Sequence, residues 1–375
     1  MPETLDSLPT PALILDRAVL RRNLERMSRR VLAAGIDLRP HLKTAKSATI
    51  GRQATAPHSG AITVSTLAEA RYFAQHGFRD ILYGVGVVPS KLSQVAALRG
   101  QGVDLHVVTD NVAVAQEINR HAEANAADFS VFVEIDSGGG RAGLQPGSAD
   151  IVDVGRALQT NRVSIAGVMT HAGHSYHARS VDEIAAVAEQ ERSAVVGAAE
   201  LLRAASLPCP RVSAGSTPTA THARSYAGLT EVRPGVYVFM DLDQAGIGAC
   251  GMGDIAVSVL ASVIGHYPHR NQALIDAGAL ALSKDISAQE FMPDAGYGVV
   301  KNFDGLAIEG LSQEHGFVSS KAPFPYARLP IGSRVQVLPN HVCITAGNHD
   351  KYYVVDSEES DGRTVVDIYD RVNGW

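Results

Sequence analysis

The stretch Ile36-Asp37-Leu38-Arg39-Pro40-His41-Leu42-Lys43-Thr44 decides how the rest of the chain is read. Residues 36–39 predict a strand, and residues 46–56 predict the helix that leaves the turn. Lys43 therefore falls at the carboxyl end of a strand, where α/β sheets keep their reactive groups. Working outward, seven more short apolar runs follow, at 61–64, 80–83, 104–108, 129–135, 163–169, 211–213 and 231–232. Segments rich in Ala, Leu, Glu, Gln and Arg separate them, notably 66–76, 89–100, 111–125 and 181–205. Eight strands alternating with helices, at spacings of roughly 20 to 40 residues, predict a closed (β/α)8 barrel, a TIM barrel. It is expected to cover residues 17–236.

Beyond Tyr237 helical periodicity gives way to strand-like runs at 256–265, 272–276, 305–314, 334–338, 352–355 and 365–369. Gly and Pro punctuate them, which predicts a mainly antiparallel β domain over 237–375. The apolar run 11–16 precedes the first barrel helix, so residues 1–16 are expected to join that β domain.

Composition narrows the function class. The 375 residues are 45% hydrophobic and 19% charged with a net charge of −6, and no Lys/Arg cluster forms a track for a nucleic-acid backbone. No apolar run reaches membrane-spanning length. Residues 1–10 are polar, so no signal peptide is expected. Cys209, Cys250 and Cys343 are odd in number and far apart, which argues against a disulfide framework and for a cytoplasmic setting.

Lysine is a poor nucleophile until burial and cationic neighbours lower its pKa, and Arg39, His41 and Lys46 flank Lys43 in sequence. Three other strand ends carry unusual groups. Glu134-Ile135-Asp136-Ser137-Gly138-Gly139-Gly140-Arg141 combines a glycine run, which lets backbone approach a ligand, with the donor fork of Arg141. Thr170-His171-Ala172-Gly173-His174-Ser175-Tyr176-His177 offers three imidazoles and a phenol for acid–base work or ring contact. Ser213-Ala214-Gly215-Ser216-Thr217-Pro218-Thr219 and Arg233-Pro234-Gly235-Val236-Tyr237 follow strands seven and eight, where barrels commonly bind phosphate. A phosphate site opposite a strand-end lysine matches the two needs of pyridoxal 5'-phosphate, an anchor and a Schiff-base amine. In Pro339-Asn340-His341-Val342-Cys343-Ile344-Thr345, a continuing strand would point His341 and Cys343 to one face, as a zinc-type pair with positions left for water or substrate; on these two residues alone the competing reading is a buried cysteine beside a capping histidine. His349 and Asp350 are further ligand or supporting candidates.

Taken in order, RPHLKT around Lys43, DSGGGRAGL around Arg141, THAGHSY from Thr170, SAGSTPT from Ser213, RPGVYVF from Arg233 and PNHVC from Pro339 form a set. With it the chain resembles the D-threonine aldolase/D-serine dehydratase family of pyridoxal-phosphate enzymes, which share the alanine-racemase-like architecture. The resemblance covers nearly the whole length and implies a homodimer acting on a small β-hydroxy-D-amino acid. It implies that Lys43 carries the cofactor, that Arg141 contacts its ring with Tyr176 or His171 beside it, and that Arg233 faces the pyridine nitrogen. Ser216, Thr217 and the backbone at Gly235 and Val236 would hold the phosphate. His341 and Cys343 match the metal pair. Aldolase-like members of the family carry histidine-x-aspartate there, and dehydratase members histidine-x-cysteine. Thiolate favours zinc over manganese or magnesium, so the expected reaction is dehydration and deamination to a 2-oxo acid and ammonia. The alternative is aldol cleavage to glycine and an aldehyde, with His174 or His177 as base. A racemase or a non-catalytic cofactor carrier ranks below both.

Overall fold

A computed structural model describes residues 3–375, which divide into two compact units, one of residues 27–235 with 374–375 and one of 3–26 with 236–373. The division falls inside the helix Arg17–Ala33. The strands in chain order are β1 (Ala12–Asp16), β2 (Asp37–Leu38), β3 (Ile62–Val64), β4 (Asp80–Gly86), β5 (Asp104–Thr109), β6 (Phe129–Ile135), β7 (Val163–Thr170), β8 (Arg211–Ala214) and β9 (Glu231–Val232). They continue with β10 (Val257–Tyr267), β11 (Gln272–Ile275), β12 (Gly298–Val300), β13 (Leu306–Leu311), β14 (Gly316–Ser320), β15 (Arg334–Pro339), β16 (Lys351–Val355) and β17 (Asp367–Asp370).

In the first unit β2 to β9 form one parallel sheet in the order β2-β9-β8-β7-β6-β5-β4-β3. The two ends of that order meet across the Lys43 turn. His41 bridges Thr63 in parallel, Leu42 N donates to Thr63 O at 2.8 Å, and Thr63 N donates to Pro40 O at 3.0 Å. On the other side Arg39 N donates to Val232 O and His41 N to Pro234 O. The segment that carries Lys43 is thus the seam that closes the barrel. Leu82, Val108, Phe132, Ala166 and Met169 pack inside it, and a larger apolar shell lies between sheet and helices.

Polar side chains fill the rest of the interior. Arg39 is 1% exposed and donates to Glu231 Oε1 (2.8 Å) and Asp80 Oδ1 (2.6 Å). Arg211 donates to Asp80 Oδ2 at 3.1 Å. Arg39 is therefore spent on carboxylates, and Lys46 lies 3.3 Å from Glu69. The expectation that these two cations act on Lys43 is corrected on that ground.

In the second unit the sheet order is β11-β14-β13-β12-β15-β10-β1-β16-β17. β1 pairs antiparallel with β10 and parallel with β16. The run expected as one strand over 305–314 ends at Leu311 and turns into β14, so β13 and β14 form a hairpin. The strand expected to carry His341 and Cys343 ends at Pro339. His341 is instead the N-cap residue of the short helix Val342–Ala346, which contains Cys343. Buried Asp241 overrides the β-branched run, because its Oδ2 accepts the Val342 N–H at 3.0 Å and holds that first turn.

Candidate functional site

The barrel's strand ends surround a cavity of about 390 Å³ lined by Lys43, Glu134, Arg141, His171, Gly215 and Arg233 among others. Four expected site residues, Lys43, Arg141, His171 and Arg233, thus share one space. Lys43 is exposed, on the turn after β2. Its main-chain N–H donates to His41 Nδ1 at 3.4 Å, a bond that requires Nδ1 to lack a proton. Burial, then the charges of Lys43, His171, Arg233 and Arg141, hold the His41 pKa well below that of a free imidazole. Burial and the charges of Lys43, Arg141 and Arg233 pull His171 down to about 3. Both rings are neutral at pH 7, and the cavity's fixed charge is cationic. Glu134, also lining it, has its pKa raised by burial. Arg233 is buried, donating to Ser213 Oγ and to the Thr170 carbonyl.

The remaining expected residues lie around this space. Ser216 caps the helix Thr217–His222, with its hydroxyl 2.9 Å from Ser175 Oγ and 3.0 Å from Thr219 Oγ1. Thr217 is buried beside it. Gly235 packs against the Lys43 turn, where a Cβ would sit 3.0 Å from His41 O and 3.3 Å from Thr44 Oγ1. Val236 opens the other unit. His174, Tyr176 and His177 form the 3-10 turn Gly173–His177 outside the cavity lining, with the Tyr176 ring 6.4 Å from that of His171. His177 is exposed, whereas both ring nitrogens of His174 are buried without a partner. The donor set fits an anionic aldehyde cofactor: a primary amine, two guanidinium groups, and glycines where backbone must come close.

The β domain holds the second cluster. His341 Nδ1 lies 3.1 Å from Asp285 Oδ2, and the imidazole hydrogen-bonds Cys343. Burial opposes an imidazolium here, but Asp285, Cys343 and Asp241 outweigh it and raise the His341 pKa. Burial pushes Asp241 up to about 7. Asn340 positions the turn, donating to Gly296 O at 2.7 Å and accepting the Ala288 N–H at 2.7 Å. An imidazole oriented through its second nitrogen by a carboxylate, beside a thiol, has the chemistry of a metal pair. His349 is not part of it, since its Nε2 is 3.1 Å from the Ala281 carbonyl. Asp285 and Asp241 carried no sequence signal, lying 56 and 100 residues before His341 and meeting it only through the fold. Among the described residues, Asp80, Asp104 and His106 also cluster as possible ligands, but Arg39, Arg99 and Arg211 occupy those carboxylates.

A parallel barrel with a lysine at its first strand end, followed by an antiparallel β domain, defines the alanine-racemase-like class. Comparison with known proteins bears this out. The family model described as alanine racemase, N-terminal domain, matches residues 15–243, and a serine dehydratase domain matches 256–355. The chain belongs to the D-threonine aldolase/D-serine dehydratase family within that class. It is 41% identical to the D-threo-3-hydroxyaspartate dehydratase of Delftia sp. (strain HT23), over 100% of both chains. It is 32% identical to the D-serine dehydratase of Dictyostelium discoideum, over 95% of each. The solved Delftia enzyme superposes with a TM-score of 0.95 at 41% identity, covering 100% of both chains. Alanine racemase from Clostridium difficile 630, at 13% identity and a TM-score of 0.71, shares the fold.

Proposed function

We propose that this protein is a lyase dependent on pyridoxal phosphate and zinc that dehydrates and deaminates a β-hydroxy-D-amino acid. The observation that carries the reading is the presence, in one chain, of the cationic lysine cavity and the carboxylate-oriented His341–Cys343 pair. In solved structures of a D-threo-3-hydroxyaspartate dehydratase, 41% identical to this chain, a histidine and a cysteine two residues apart have each been replaced, the cysteine variant in a metal-free form. That spacing equals the spacing of His341 and Cys343.

Bound pyridoxal phosphate supplies an electron sink for the charge left at Cα, and a bound metal supplies a Lewis acid for the departing hydroxyl. Lys43 Nζ would hold the cofactor, and the same amine is the base placed to take a proton from Cα. Arg141 and Arg233 neutralise the anionic groups bound in the cavity. Neutral His41 and His171 add polar contacts without adding charge. Asp285 keeps His341 Nδ1 engaged so that Nε2 is presented as the donor. Overall, water leaves and is regained, and the products are a 2-oxo acid and ammonia.

A second reading, aldol cleavage, draws on His174, whose unpartnered ring nitrogens suit a base. It predicts glycine in place of ammonia. The test of the main reading is twofold. Lys43→Ala should abolish both the visible absorbance of the bound cofactor and turnover. Removing the metal should abolish turnover while leaving that absorbance. Full turnover of a protein shown to be metal-free would end the metal assignment.

A further inference from the structure

The long helix Val181–Ala204 packs on the barrel through Ile184, Ala188, Glu191, Val195, Ala198 and Leu202, an i, i+3, i+4 seam. Five of these are apolar and one is a carboxylate. Glu191 is 2% exposed, and burying a carboxylate is costly unless hydrogen bonds compensate it. Its Oε1 accepts the Ala172 N–H at 2.8 Å and the Gly215 N–H at 3.1 Å. Thr219 adds a side-chain hydrogen bond to the same carboxylate. Burial raises its pKa and these bonds oppose the rise.

The two N–H groups belong to different loops. Ala172 follows His171 directly, after β7, and Gly215 precedes Ser216, after β8. One oxygen therefore sets the spacing between the loop that brings His171 to the cavity and the loop that brings Gly215 and Ser216. Thr219, the third partner, also bonds Ser216 through both its main chain and its hydroxyl. The preceding residue extends the pattern, because Gly138, in the glycine run after β6, approaches so closely that a Cβ there would lie 2.4 Å from Gln190 Nε2. An apolar residue at 191 would fill the seam equally well but leave two buried N–H groups unpaired.

We propose that Glu191 is a positioning residue that fixes the His171 and Gly215–Ser216 loops in register and so sets the affinity for pyridoxal phosphate. It touches no substrate atom and acts through those loops. The proposal rests on the cofactor reading given above. Its test is titration of the cofactor-depleted protein with pyridoxal phosphate, followed by absorbance, for the wild type and four variants. Glu191→Ala is expected to weaken binding about tenfold or more, as loss of two buried hydrogen bonds implies. Glu191→Gln keeps Oε1 and is expected to bind within about threefold of wild type, because both N–H groups retain an acceptor. Leu202→Ala, on the same buried seam, lowers the melting temperature through a cavity and leaves the affinity unchanged. Should Glu191→Ala not fold, Glu191→Asp, shortened by one methylene and unable to reach both loops, carries the same comparison against Leu202→Ala. Equal affinity in wild type and both shortened variants, or equal weakening in Leu202→Ala, overturns the proposal and leaves the cofactor reading standing. A wild type that binds no pyridoxal phosphate overturns both.

Discussion

Replacing Arg39 by methionine tests the claim that the barrel closes across a charged seam. The guanidinium donates from Nε to Glu231 Oε1 at 2.8 Å, from Nη1 to Asp80 Oδ1 at 2.6 Å and from Nη2 to Asp80 Oδ2 at 3.3 Å. It thereby ties the β2 segment to β9 on one side and, past β3, to β4 on the other. Methionine keeps much of the volume and removes all three bonds. Breaking a buried pair by deleting one partner costs about 3–5 kcal/mol. The lower end applies here, because neither carboxylate is left wholly bare. Asp80 keeps Arg211 at 3.1 Å, and Glu231 keeps the Ser213 hydroxyl at 2.6 Å. About 3 kcal/mol in a unit of this size lowers the melting temperature by roughly 6–12 °C. Calorimetry or a circular-dichroism melt reads it directly. Adding Glu231→Gln should cost less in the Arg39→Met background than in the wild type, since the orphaned charge is then removed. An Arg39→Met protein that melts within about 2 °C of wild type would refute the reasoning.

Other outcomes follow from single contacts. Asp285→Asn should weaken metal binding about 10–100-fold in a chelator competition, because the carboxylate that orients His341 is gone. Unchanged affinity would mean that Asp285 does not support the pair. Acid should loosen the barrel through Asp37. Burial opposes its charge, but His58, Ser59 and the main-chain N–H groups of Ser59 and Leu38 prevail and lower its pKa from 3.8 to about 2. A carboxyl depressed on folding stabilises above its unfolded pKa, and that contribution, at most about 2 kcal/mol, is lost as pH falls from about 4 to 2. Asp37→Asn should flatten the acid limb of a stability-against-pH curve, and an identical limb would contradict the assignment.

What was legible in the sequence divides along physical lines. The barrel strands β3 to β8 stand out because a strand buried on both faces is a largely apolar run bounded by turns, whereas β2 and β9 are two residues each and are placed by the spacing of the repeat. The lysine turn after β2 was readable from its place at the start of that repeat and from the RPHLKT motif itself. β14 was missed because Gly316-Phe317-Val318-Ser319-Ser320 is short and half polar, as suits a strand with one face towards solvent. Val342-Cys343-Ile344-Thr345 reads as strand from its β-branched residues, yet Asp241, 101 residues earlier in the chain, turns it into a helix. The partners of His341 share that character. Asp285 and Asp241 belong to loops whose placement depends on the assembled sheet, and no local pattern announces them. Glu191 was in principle visible as a charge in the apolar seam of a helix, although its two loop contacts were not.

The most direct test of the account is a product assay on the holoenzyme. The protein loaded with pyridoxal phosphate and zinc is incubated with D-threo-3-hydroxyaspartate, D-serine and D-threonine, and ammonia, 2-oxo acid and glycine are each quantified. The account predicts equal amounts of ammonia and 2-oxo acid from at least one substrate, no glycine, and no reaction in Lys43→Ala. Glycine with an aldehyde, and no ammonia, would contradict it.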